Sequence, residues 1–153
     1  MNRQFVIDRR GFLVASGAML LAGPAFAARD VIEVFKSSTC DCCTKWIAHL
    51  RANGFVVQAH DVDDITVSRA RLGVPAALGS CHTGSVGGYL VEGHVPARDI
   101  QRLLREHPDA AGLAVPGMAR GSPGMEADVS DPYDVLLFQL NGHYTVYQRY
   151  GAR

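Results

Sequence analysis

The chain has 153 residues, 48% of them hydrophobic, and its 15 lysines and arginines balance 15 aspartates and glutamates at a formal charge of zero. That length is enough for one compact core and calls for no second domain. A balanced charge leaves no basic footprint for nucleic acid.

Residues 1–27, MNRQFVIDRRGFLVASGAMLLAGPAFA, put basic residues first, then an apolar run at 12–21, then Ala25-Phe26-Ala27, a small-x-small cleavage signal. This is the pattern of an export peptide. The apolar run of about ten residues is short of the ~20 that span a bilayer, so the segment is expected to be removed and to leave no membrane anchor. Arg9-Arg10 followed by Phe12-Leu13 reads as a twin-arginine signal, whose route carries folded proteins, the alternative being an ordinary secretory signal with two adjacent arginines. Cleavage leaves residues 28–153 as a single domain. Losing Arg3, Arg9, Arg10 and Asp8 leaves 14 acids against 12 bases, a formal charge of −2 with histidine neutral.

The mature segment opens with a β-branched run at 31–35 that predicts a strand. From Cys43, the apolar Trp46, Ile47 and Leu50 follow at i+3, i+4 and i+7, which predicts an amphipathic helix. Ser38 or Thr39 is expected to cap it, and Asn53-Gly54 to close it before a second strand at 55–60. A short helix is expected at 65–72, ending at Gly73 and Pro75. Two strands at 76–82 and 86–92 are expected next, joined across Thr83-Gly84-Ser85. Pro96 then opens a helix in which Ile100, Leu103, Leu104 and His107 share a face, with Pro108 as its stop. Residues 112–131, GLAVPGMARGSPGMEADVSD, show neither period and read as a long loop of the kind that is usually functional or disordered. A hairpin closes the chain, with strands at 135–140 and 144–150 around Asn141-Gly142. This order, β-α-β followed by an antiparallel hairpin and a helix, is that of an α/β, thioredoxin-like single domain with a mixed sheet and flanking helices. By fold analogy, Val74-Pro75 corresponds to the proline that faces the cysteine loop, and the hairpin bearing Cys81 approaches Cys40, Cys42 and Cys43.

Three of the four cysteines sit in Thr39-Cys40-Asp41-Cys42-Cys43-Thr44, where a strand passes into a helix. Helix N-terminal N–H groups and the helix dipole favour thiolate there. Export to an oxidising compartment makes disulfides the default, but adjacent Cys42 and Cys43 do not readily pair, and bridging both elsewhere needs partners on opposite sides of one turn. The spacing fits a cluster better than a staple. Soft thiolates suit Cu(I), zinc and iron–sulfur clusters, and the thioethers of Met118 and Met125 in the Gly/Pro loop tilt the choice toward copper. Two separated C-x-x-C knuckles, usual in zinc ribbons, are missing. The rival reading is a thiol–disulfide oxidoreductase with Cys40 as nucleophile and Cys43 as resolver, against which Cys42 offers a competing resolving path. Cys81 also reads as a small buried hydrophobe, and Met118 and Met125 as plugs of the loop onto the core. His82, beside Cys81, is a candidate ligand; His94 is either a ligand or a residue that positions the start of the helix. His49, His60, His107 and His143 show no converging pattern, and Trp46 reads as core.

Taken together, C-D-C-C opening a helix, GVPAALGSCHT, VGGYLVEGHVPARDI and LAVPGMARGSPGME resemble the CopG-like family of periplasmic copper-resistance proteins, over about residues 31–126. The resemblance implies a thioredoxin-like fold in an exported protein of copper handling, with copper ions as its partners and other periplasmic copper proteins as candidates for exchange. It implies Cu(I) ligation by Cys40, Cys42, Cys43 and Cys81, with His82 adjoining, up to a cluster of several ions bridged by thiolates. It says nothing about the hairpin after Asp131.

Overall fold

Strand β1 (Val31–Lys36) alternates exposed and buried positions, so that Ile32, Val34 and Lys36 point inward, the period of a strand with one covered face. Helix α1 (Asp41–Ala52) buries Cys43, Trp46, Ile47 and Leu50 along one stripe and is followed by Asn53 and by Gly54 at positive φ. The computed structural model describes residues 30–151; the proposed export peptide lies outside the described residues.

Strand β2 (Val56–Asp61) runs parallel to β1, which α1 makes possible by crossing between them. Helix α2 (Ile65–Leu72) is capped by the Asp64 carboxylate, which accepts the Thr66 N–H at 2.8 Å, and stops at Gly73 in the left-handed region. A 3-10 turn at Ala76–Leu78 leads into β3 (His82–Val86), antiparallel to β1 and to β4 (Tyr89–Glu92). Helix α3 (Ala97–Glu106) then crosses to β5 (Gly112–Ala114), parallel to β4. Strands β6 (Tyr133–Phe138) and β7 (Tyr144–Tyr150) complete one seven-stranded sheet in the order β2-β1-β3-β4-β5-β6-β7.

Two clusters pack against this sheet. The larger joins Trp46 and Leu50 of α1 with Ile100 and Leu103 of α3 over Ile32, Val91 and Leu113. The smaller gathers Val74, Leu78, Ala114 and Phe138. Leu113 and Ala114 are successive residues of β5 yet belong to different clusters, so the two clusters cover opposite faces.

Several expected boundaries shift. Residues 76–78 form a 3-10 turn and not strand, and the β3–β4 turn falls at Gly87-Gly88, both at positive φ, instead of Thr83-Gly84-Ser85. Gly84 is a strand residue whose missing Cβ would sit 2.4 Å from the Glu33 carbonyl oxygen. Neither Ser38 nor Thr39 caps α1; Cys40 occupies the N-cap position without a side-chain cap bond. The segment read as one loop contains β5, three residues long and wholly buried. Val74, just before Pro75, packs into the smaller cluster with Leu78 and Phe138.

Candidate metal centre

Local chemistry puts the three clustered cysteines at the mouth of α1. Cys40, extended at φ −80 and ψ 95, ends the turn after β1, and its carbonyl oxygen accepts the first helical bond from Thr44. Cys42 and Cys43 follow within the first turn, where backbone N–H groups lack partners inside the helix. Cys81 comes from the link between the 3-10 turn and β3, and the pairing of β3 with β1 sets Lys36 opposite His82. That register carries Cys81 across 38 residues of chain to the helix mouth.

The sulfurs form a contiguous group. Cys40 and Cys43 are joined in a disulfide, while Cys42 and Cys81 are free thiols. Cys42 Sγ lies 3.5 Å from Cys40 Sγ and 3.8 Å from Cys81 Sγ. All four sulfurs fall within 4.8 Å of one another. The sequence pointed to a cluster and left a redox pair as its rival; the structure displays a C-x-x-C disulfide inside a four-sulfur group.

Cys81 also belongs to a second set with His82 and His94, whose donor atoms likewise lie within 4.8 Å of one another. His82 Nε2 donates to the Gly93 carbonyl at 2.9 Å, and His94 Nδ1 donates to the Pro123 carbonyl at 2.8 Å. Those bonds fix complementary tautomers. The remaining nitrogens, His82 Nδ1 and His94 Nε2, present lone pairs 3.4 and 3.0 Å from Cys81 Sγ. Orienting an imidazole by a backbone acceptor on its far nitrogen is the usual outer-shell arrangement of a metal-binding histidine. The His82 ring is packed in turn against Trp46, with centroids 4.2 Å apart, and the indole N–H is tied to the Val95 carbonyl at 2.9 Å.

Burial sets the protonation states. Both imidazoles are fully buried. Burial, with His94 beside it, lowers His82 to about 3, and burial depresses His94 as well. Both rings are therefore neutral at pH 7, the form that ligates metal. Burial and the neighbouring Cys42 push the Cys81 thiol up to about 12. A cation that replaces this proton removes the penalty, which is how metal binding couples to thiol deprotonation.

The Gly/Pro loop covers the group. Pro123 supplies the acceptor for His94, and Gly124, at φ +86, passes so close to α1 that a Cβ there would meet the Cys42 carbonyl oxygen at 2.7 Å and the Trp46 nitrogen at 2.8 Å. Met125 is half-buried in the same stretch, with its N–H on the Ser122 carbonyl. Met118 is 59% exposed and lines a cavity with Tyr133, Tyr144 and Val146. Of the remaining histidines, His49 accepts the Ala97 N–H at the start of α3, and His60 stacks on Phe35. His107 ends α3 in the left-handed conformation, exposed rather than on the buried face. His94 had no local sequence signal for its place beside Cys81; only the β3–β4 pairing and the overlying loop bring it there.

A mixed seven-stranded sheet with a sulfur–imidazole group at the mouth of its first helix defines an α/β protein of the metal-binding kind. Residues 78–125 match the family model described as protein of unknown function, DUF411. The solved structure of copper resistance protein CopG in form 2 is 48% identical, matched over 81% of this chain and 100% of that one with a TM-score of 0.77. Form 1 is 49% identical, over 80% of this chain and 98% of that one, with a TM-score of 0.75. A search of curated proteins gives no match. The chain belongs to the CopG-like copper-resistance family.

Proposed function

We propose that this chain is a periplasmic copper-binding protein of copper resistance that holds Cu(I) on Cys40, Cys42, Cys43 and Cys81, with His82 and His94 as nitrogen donors at the Cys81 end. The observation that carries the reading is the convergence of four sulfurs, and of two tautomer-fixed imidazoles on one of those sulfurs. Thiolates bridge soft monovalent ions, so four sulfurs this close suit several Cu(I) ions better than one. The export peptide at 1–27, by the twin-arginine route, supports the compartment. The strand order β2-β1-β3-β4, with β1 and β2 parallel and β3 antiparallel to both neighbours, supports a thioredoxin-like core to which β5, β6 and β7 are added.

Anaerobic Cu(I) titration of the reduced protein, with elemental analysis, tests the reading. It predicts uptake of Cu(I) that is lost when all four cysteines are replaced by serine; uptake no greater than in that variant refutes it.

The Cys40–Cys43 disulfide favours a second reading, a thiol–disulfide oxidoreductase in which Cys40 is attacked or attacks and Cys43 leaves or resolves. Insulin reduction decides it. Full activity in Cys42→Ser with negligible copper uptake in the parent would put this reading first.

A further inference from the structure

An ion pair buried between α2 and β4 adjoins the sulfur–imidazole group. Glu92 is fully buried and Arg69 is 9% exposed, with Arg69 Nε 2.9 Å from Glu92 Oε1. Both partners converge on one residue. Glu92 Oε1 accepts the Ser80 N–H at 2.7 Å, and Arg69 Nη2 donates to the Ser80 carbonyl oxygen. Ser80 Oγ in turn donates to the Gly117 carbonyl of the covering loop. Every polar group of Ser80 is thus tied down one residue before Cys81.

The same strand end carries the imidazoles. Gly93, next to Glu92, accepts from His82 Nε2 and donates its N–H to the His82 carbonyl at 3.0 Å, and His94 follows it. Desolvating two charges largely offsets their attraction, so a buried ion pair is a weak source of stability. Its contacts here are geometric in effect: they lock the backbone that delivers Cys81 to the backbone that delivers His94.

We propose that the Arg69–Glu92 pair is a positioning device for the metal site, fixing the Ser80–Cys81 link so that Cys81 Sγ stays within reach of Cys42 and of both imidazoles. The proposal rests on the reading of Cys81 as a copper ligand. Arg69 and Glu92 act through Ser80 and are not ligands themselves. Removing one partner strands a buried charge and threatens folding, whereas replacing both by apolar residues of similar volume is often tolerated.

The test therefore uses Arg69→Met/Glu92→Leu in the full chain, reduced, with fold checked by circular dichroism and thermal unfolding. Cu(I) affinity is measured against a chromophoric Cu(I) chelator in the parent, in the paired variant, in Cys81→Ser and in the combination of the two. The expected result is a loss of about ten- to a hundredfold at an unchanged melting midpoint, as for other outer-shell residues, and no further loss once Cys81 is serine. Unchanged affinity in a folded paired variant, or equal losses with and without Cys81, overturns the proposal. If the paired variant does not fold, Arg69→Lys takes its place. Its single ammonium lacks the fork that reaches Glu92 and Ser80 together, so a smaller loss that depends on Cys81 is expected, and no loss overturns the proposal. Hydrogen exchange at the Ser80 amide of metal-free protein separates the two claims. Protection that disappears with the pair establishes the clamp even if the parent takes up no Cu(I), an outcome that refutes the copper reading alone; protection that persists overturns the clamp.

Discussion

At His94, one hydrogen bond decides what the other nitrogen offers. With Nδ1 committed to Pro123, Nε2 can only accept, and it does so 3.0 Å from Cys81 Sγ. His94→Ala is expected to weaken Cu(I) binding by about tenfold or more in chelator competition while leaving the Cys40–Cys43 disulfide able to form. An affinity equal to the parent's would remove His94 from the ligand set. The same burial makes the metal-free protein acid-sensitive. Unfolded histidine titrates near 6.5 and folded His82 near 3, so between those values the unfolded chain binds the extra proton. Stability is fully present above pH 6.5 and is lost progressively as pH falls toward 3, with His49 and His94, also lowered by burial, adding to the loss. Urea unfolding of metal-free protein at pH 7.5, 6 and 5 checks this: the midpoint should fall at each step, and a flat profile contradicts it. The cysteine group itself was legible, because three thiols in four positions resist any packing explanation. The tautomers were not, since the carbonyls that set them belong to residues 93 and 123, which no local pattern connects to positions 82 and 94.

Among elements, the first turn of α1 and the loop over it govern access to sulfur. The disulfide withdraws Cys40 and Cys43 from the pool of thiolates, leaving Cys42 and Cys81. Oxidised protein is therefore expected to take up fewer Cu(I) ions per chain than reduced protein, and a thiol reductant should restore the difference; equal stoichiometry in both states would show that the disulfide sulfurs are not ligands. Gly124 holds the loop against this turn in a backbone conformation and at a distance that only glycine permits. Gly124→Ala should cost roughly 1–3 kcal/mol in urea unfolding and weaken Cu(I) binding with it. Helices α1 and α3 and the closing hairpin were readable because their apolar spacing and turn residues agree with the fold, whereas α2, whose one buried residue is Arg69, was marked chiefly by its stop at Gly73. Gly84 misled the assignment of the β3–β4 turn because a glycine needed for close approach to Glu33 looks, in sequence, the same as a glycine needed for a turn. Strand β5 escaped notice for a different reason: with three residues, all buried, it has no alternation to read.

Across the whole molecule, one sheet ties the site to the fold. The larger cluster runs from Ile32 on β1 to Val135 on β6, so the strands added after the covering loop share a core with the helix that carries the cysteines. Ligand binding to the native state alone stabilises the entire unit: Cu(I) at about a hundred times its dissociation constant should add about 2.7 kcal/mol to unfolding of the reduced protein and nothing to the variant without cysteines. Differential scanning calorimetry under anaerobic conditions measures it, and an equal shift in both proteins would mean that copper acts elsewhere. The packing of Trp46 on the His82 ring has a consequence of another kind. Trp46 is the only tryptophan in the chain, it is fully buried, and its ring centroid lies 4.2 Å from that of His82. Its fluorescence therefore comes from one place in the molecule, next to the site, so filling the centre should change the emission without any added dye. The protein carries its own optical gauge of occupancy, readable in a cuvette while the metal arrives or leaves.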